Sequence, residues 1–293
     1  MNYVLYNDLL KVSISDYGAE IRSIQSQKTN VEYLWQGSDV YWEDRATVIF
    51  PICGRLYQGK YTYLGKEYEM IIHGFAKVST FTVVEHTPEK FVMLLTANDF
   101  TRAQYPFEFK LKMIYTLKGN QIKQTFMVEN TDNKTLIFTC GGHPGFNVPW
   151  KDGEQYEDYY LEFENDKPQY NIFFNQDGLF NGRKELQPMV DGKIIPLSHD
   201  LFDNDALFLQ DGAKKVSLKS KKNNTVISVE YQDMTRVGFW KDEKTTAPFL
   251  CIEPWAGIPA SAGVTDDLET KAEMTHLAPK GICEKSFTIT VEE

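Results

Sequence analysis

No run of apolar residues in this chain approaches the roughly 20 that a membrane-spanning helix needs, so no span is expected. Basic charge is also short: 31 Lys and Arg stand against 41 Asp and Glu, a net charge of −10. Nucleic acid and anionic membrane call for a basic patch, so neither is an expected partner. Cysteine is sparse, at four residues, and none stands at metal-ligand spacing. Cys53, Cys140 and Cys251 lie inside apolar runs and read as small buried hydrophobes. A chain of 293 residues builds a core without disulfide staples, which favours a reducing compartment. The N-terminal MNYVLYNDLL has no basic region leading into an apolar stretch, so a cytoplasmic location is expected. Nucleotide-driven and serine-nucleophile chemistries lack their motifs: there is no P-loop, no dinucleotide glycine fingerprint, no GxSxG and no HExxH.

Helical signals are scarce too. Asp200 to Gln210 and Asp266 to Met274 are the segments expected to hold a short turn of helix. Alternation dominates instead. Phe107, Phe109, Leu111, Met113, Tyr115 and Leu117 fall on one face of a run whose other face carries Glu108, Lys110 and Lys112. That period of two marks a half-buried strand. A turn at Lys118-Gly119-Asn120 leads into a second run with Ile122, Gln124, Phe126 and Val128 on one face, completing a hairpin. Further hairpins are expected over 61–70, 81–97 and 215–231, and further strands at 11–15, 21–25, 135–140, 159–164, 248–253 and 286–292. Strands joined by hairpins without alternating helices predict an all-β fold, a large antiparallel sandwich or barrel. With no linker and no fixed-period repeat, residues 1–293 read as one domain.

Three strings carry candidate chemistry: IIHGFAK around His73, TCGGHPGFNVPW around His143, and FLCIEPWAG around Glu253. Each polar residue closes an apolar run and meets Gly or Pro. The Pro144 ring pushes His143 toward extended backbone, and Gly141-Gly142 permit close approach of a ligand. Glu253 ends the run Phe249 to Ile252, a costly place for a carboxylate unless it is paired or lines a cleft. Trp255 offers an aromatic wall beside it. If the three converge they form an acid/base set. The alternatives are a turn-bound histidine and an exposed strand-end glutamate. Arg55 in ICGRLYQG has a fork suited to hydroxyls or phosphate, or to a surface ion pair. Asp205, just before Ala206 to Leu209, suits sugar hydroxyls, while Asp203 equally suits a helix N-cap. His86, His199 and His276 read as surface residues.

The ordered strings FPICGRL, HGFA, GGHPGFN, DALFL and CIEPWAG resemble those of the aldose 1-epimerase (galactose mutarotase-like) family, in its LacX-type branch. The resemblance covers nearly the whole chain. It implies a large antiparallel β-sandwich and cofactor-free interconversion of the α and β anomers of a free hexose or hexose phosphate. By the same resemblance Glu253 is the general base toward the C1 hydroxyl. His143 is the acid toward the ring oxygen, and His73 binds substrate and steadies its charge. Arg55 and Asp205 are substrate-binding, and no metal is implied. The expected partner is a small sugar. At neutral pH Glu253 is expected ionised, and His143 is expected to need acidic neighbours to keep its proton. Lys77 after HGFA, where sugar-phosphate epimerases often carry arginine, weighs against a phosphosugar.

Rival readings are a carbohydrate-binding or sensing protein without turnover, and a metal enzyme using the two histidines and the glutamate. A glycosidase recruiting Glu253 and Asp205 is a third, and it would leave both histidines idle.

Overall fold

The computed structural model describes residues 1–210 and 212–293. Two large sheets dominate, antiparallel throughout. One holds nine strands in the order Ile194–Pro196, Tyr159–Phe163, Lys215–Ser220, Val226–Glu230, Ile282–Glu292, Gln121–Asn130, Phe109–Lys118, Lys90–Thr96, Thr82–His86. The other holds seven, in the order Phe180–Leu186, Tyr170–Phe174, Leu207–Gln210, Arg236–Trp240, Phe249–Trp255, Gly141–Asn147, Ala46–Ile49. The expected hairpin joins Phe109–Lys118 to Gln121–Asn130, and alternate residues along both strands are buried as the period of two requires.

Side chains from the two inner faces interlock into one apolar cluster running from Leu5 to Val291. Phe163 of the larger sheet meets Phe239 of the smaller edge to face, 5.9 Å between centroids. The chain is an all-β sandwich.

Helices are few among the described residues; of the two short turns expected from sequence, the first is present at the start of its segment and the second is not. The α-helix is Asp99–Gln104, closed by a capping box in which the Asn98 side chain accepts from the Thr101 N–H and the Thr101 hydroxyl accepts from the Asn98 N–H. Asp200 to Gln210 divides into a 3-10 turn, His199–Phe202, and the strand Leu207–Gln210, because Leu207 to Leu209 are buried in the sheet. Asp266 to Met274 holds no helix. The Asp267 carboxylate takes the Glu269 N–H in a local turn that competes with helical hydrogen bonding, and Asp266–Asp267 pairs with Tyr61 and Thr62.

Two central strands of the smaller sheet place the functional side chains. In Phe249–Trp255 the even positions Leu250 and Ile252 enter the main core. The odd positions Phe249, Cys251, Glu253 and Trp255 therefore share the opposite face. In the neighbouring strand Phe146 enters the core and His143 takes the other face. The polar residues sit where the period of two puts them, on the face turned away from the nine-stranded sheet.

Candidate active site

The register pairs Gly141 with Trp255 and Gly145 with Cys251, which sets His143 directly opposite Glu253. Directly opposed residues bring their side chains within reach of each other. His143 Nε2 lies 3.2 Å from Glu253 Oε2, and the two residues are 8% and 3% exposed. Among the described residues no partner meets His143 Nδ1 or Glu253 Oε1, both buried.

His73 arrives from a different segment. Its backbone is left-handed (φ 66°), as is that of Gly74 (φ 73°). A side chain at Gly74 would place its Cβ 2.3 Å from the Phe50 carbonyl oxygen, so only glycine fits this turn. His73 is tied to the 50–54 segment: its N–H donates to the Gly54 carbonyl, its carbonyl accepts from the Phe50 N–H, and its Nδ1 accepts from the Gly54 N–H at 3.3 Å. With Nδ1 an acceptor, the neutral ring carries its proton on Nε2. The ring stands edge to face with His143 (centroids 5.4 Å apart) and with Trp255 (5.3 Å).

All six residues singled out from sequence line one cleft of about 620 Å³: Arg55, His73, His143, Asp205, Glu253 and Trp255. Asp205 holds a left-handed backbone (φ 82°), and its carboxylate accepts the Ala206 N–H at 2.6 Å. Arg55 reaches along the loop at Gly178, its Nε 3.2 Å from where a Cβ there would sit. The Trp255 indole N–H is buried without a partner among the described residues. Asp203 closes the 3-10 turn and lines a different hollow with His199 and Lys244. His86 and His276 are exposed, and His199 is half-buried with its ring stacked on Tyr156.

The electrostatics depart from the sequence expectation. Burial pushes the Glu253 carboxyl well above its ordinary value, with the Asp205 charge adding to it. Burial also pushes the His143 imidazole down to about 3, with Lys77 adding to it. His73 is held well below its ordinary value by burial, then by His143, Lys77 and Arg55. Loss of water, not acidic neighbours, sets the direction for His143. The two shifts combine simply. A buried pair holding one proton has the same net charge whichever partner carries it, and burial favours the uncharged arrangement, Glu253 carboxyl to His143 imidazole. Asp205 is raised by burial and by Glu243, against the Ala206 N–H and Arg55.

Residues 1–275 match the profile of the aldose 1-epimerase family. The chain belongs to that family. Two curated relatives, the plasmid and chromosomal forms of protein LacX from Lactococcus lactis subsp. lactis, are each 31% identical over 299 residues, covering 99% of both chains. A galactose mutarotase related enzyme from Lactobacillus acidophilus superposes with a TM-score of 0.96 at 38% identity, covering 100% of this chain and 98% of that one. A galactose mutarotase-like protein from Lactobacillus casei gives 0.95 at 29% identity, with both chains fully covered. Within the aldose 1-epimerase family, then, this chain stands with carbohydrate epimerases.

This aldose 1-epimerase family member also builds its cleft from residues that sequence reasoning passed over. Trp42 lies against the His143 ring, 4.9 Å between centroids at 33°, and its other neighbour in the stack is Phe249 at 5.7 Å. Trp240 meets both Trp42 and His143 edge to face. Gly145 makes room for this arrangement, since a Cβ there would lie 3.0 Å from the Trp42 ring. Phe174, Phe208, Asp177 and Glu243 complete the walls. No local motif marks Trp42; only its place in space does. The metal reading of two histidines with Glu253 meets a different grouping: the potential ligand set among the described residues is His143, Cys251 and Glu253, without His73. Among the described residues no helix is long and apolar enough to cross a membrane.

Proposed function

We propose that the protein is an aldose 1-epimerase that interconverts the α and β anomers of a free hexose by opening and reclosing the ring. One observation carries this reading, the 3.2 Å separation of His143 Nε2 and Glu253 Oε2 at a cleft. The C1 hydroxyl and the ring oxygen are bonded to the same carbon. A base for one and an acid for the other must therefore be neighbours, as these two are.

The proton accounting is closed. Substrate hydroxyls donating to Glu253 favour its ionised form and leave the pair's single proton on His143. Glu253 then removes the C1 hydroxyl proton as the C1–ring oxygen bond breaks, and His143 protonates the ring oxygen. This leaves a neutral carboxyl beside a neutral imidazole, the distribution that burial favours. Ring opening thus relieves the charge separation the buried pair resists. After rotation about C1–C2, closure on the other face reverses both transfers. Each transfer supplies on the order of 10²–10⁴-fold.

His73, held as its Nε2–H tautomer, donates to a substrate oxygen. Arg55 and Asp205 bind hydroxyls, and Trp255 and Phe208 offer apolar faces to ring carbons. No cofactor takes part, and the partner is the sugar alone. Asp44, Asp177, Asp205 and Glu243 outnumber Arg55 and Lys77 around the cleft, the His143–Glu253 pair being neutral overall, and Lys77 is paired to Asp44 at 3.6 Å. That balance favours an uncharged sugar over its phosphate. Polarimetry on freshly dissolved α-glucose, α-galactose and their 6-phosphates tests the proposal. Faster approach to equilibrium for a free sugar is the expected result; no acceleration with any aldose contradicts it.

A further inference from the structure

Cys251 is a buried thiol beneath the cleft, packed with Trp35 and Phe249, that the epimerase mechanism leaves unused. It precedes Glu253 by two positions on the same strand, so the two side chains share a face. Its register partner is Gly145, which has no side chain to cover the thiol; a Cβ there would sit 3.3 Å from Cys251 Sγ. One ligand atom each from His143, Cys251 and Glu253 all fall within 4.8 Å of one another, and all three residues are buried. Tetrahedral zinc binds nitrogen or oxygen at about 2.0–2.2 Å and sulfur at about 2.3 Å. Closing the set onto such an ion calls for side-chain rotation that brings the three ligand atoms closer together. His143 Nδ1 and Glu253 Oε1 are already without partners among the described residues, so no hydrogen bond need be broken at either atom.

We propose that His143, Cys251 and Glu253 form an inhibitory site for a thiophilic divalent cation, Zn²⁺ above all, which excludes sugar turnover while it is bound. Thiolate and carboxylate together neutralise the ion, so the complex is uncharged where an unbalanced charge would be costly. Binding exchanges the thiol and carboxyl protons, released to solvent, for bonds to the metal. The sulfur ligand selects Zn²⁺ over Mg²⁺ and Ca²⁺. His143 and Glu253 line the cleft, which supplies the entry path and the open fourth position, while Cys251 closes the set from the buried side. Once bound, the ion ties the His143 ring and the Glu253 carboxylate to itself and stands between them and the sugar, so neither can exchange protons with it.

The inhibition rests on the proposed activity; the binding does not, and the test separates them. Co²⁺ added to the purified protein should give a thiolate-to-cobalt charge-transfer band, and equilibrium dialysis against Zn²⁺ should give one bound ion per chain. Cys251→Ala should abolish the band and weaken Zn²⁺ binding at least about tenfold, while Cys53→Ala, altering a buried thiol beside Thr139, should change neither. In polarimetry Zn²⁺ should slow wild type reversibly, with EDTA restoring the rate. Cys251→Ala should keep its basal rate and lose the sensitivity. No charge-transfer band in wild type, or unchanged Zn²⁺ binding in Cys251→Ala, overturns the site. A band without any effect of the protein on aldoses keeps the site and removes the epimerase reading instead.

Discussion

His143 and Glu253 face each other from adjacent central strands, 3.2 Å apart, with burial pushing the carboxyl up and the imidazole down. In this order the pair holds one proton between its two titrations. Within that window the fraction with the proton on His143 does not vary with pH. The rate is therefore predicted to be flat through neutrality. It falls in acid as the pair takes up a second proton, and in alkali as Glu253 passes its raised value and the last proton leaves. Independent groups with ordinary values would instead give limbs near roughly 4.3 and 6.5. Polarimetry corrected for the uncatalysed rate, between about pH 5 and 9, distinguishes the two. A decline through the range of a free imidazole would contradict the shared-proton account.

Trp42 holds His143 from one side and is itself backed by Phe249. Trp42→Ala is expected to lower kcat on the order of 10-fold to 10²-fold with a smaller change in KM, because a reacting group displaced by about an ångström loses that much. Trp42→Phe should restore most of it. Gly145→Ala, which pushes against the same ring at 3.0 Å, should resemble Trp42→Ala. Equal losses for Trp42→Phe and Trp42→Ala would show that the indole has another role.

His73 couples the site to stability. Its imidazole is held far below the ordinary 6.5 by burial, so below that pH the unfolded chain binds a proton that the folded chain refuses. Stability from this group is complete above the unfolded value and declines as pH falls, by at most about 1.4 kcal/mol per pH unit. Glu253, raised by burial, acts in the opposite sense and costs stability as pH rises toward its folded value. Denaturant unfolding at several pH values between about 5 and 7 should show a shallower acid slope in His73→Asn than in wild type. Parallel slopes would mean that His73 is protonated in the folded protein.

Gly74 should tolerate no side chain. Gly74→Ala combines a left-handed backbone with a Cβ 2.3 Å from the Phe50 carbonyl oxygen. A loss of more than about 1 kcal/mol is expected, read as a lower melting temperature, together with weaker substrate binding as His73 shifts. A variant as stable as wild type would contradict the tight turn.

The hairpins were legible because a half-buried strand writes its burial into alternate residues, as Phe109 to Leu117 do. His73, His143 and Glu253 were legible because a polar side chain ending an apolar run must pair or face a pocket, Trp255 as an aromatic neighbour of Glu253, and Arg55 and Asp205 mainly through the family strings around them. Two kinds of feature were not. The Asp99–Gln104 helix is too short for a helical period, and only its Asn98 cap announced it. Trp42 and Trp240 reach His143 through tertiary packing, on which local sequence is silent. The protonation of His143 was missed for the same reason: the expectation weighed charged neighbours, whereas the depth of burial, a property of the folded sheet, sets its direction, as it does for Glu253.

The central claim is that His143 and Glu253 act as one proton-transferring unit. Anomer-resolved NMR of α-galactose and α-glucose with wild type, Glu253→Gln, His143→Asn and the double variant tests it most directly. Each single variant should lose at least about 10²-fold in rate, and the double variant little more than either, since parts of one unit are not additive. Single variants as fast as wild type, or losses that multiply in the double variant, would contradict it.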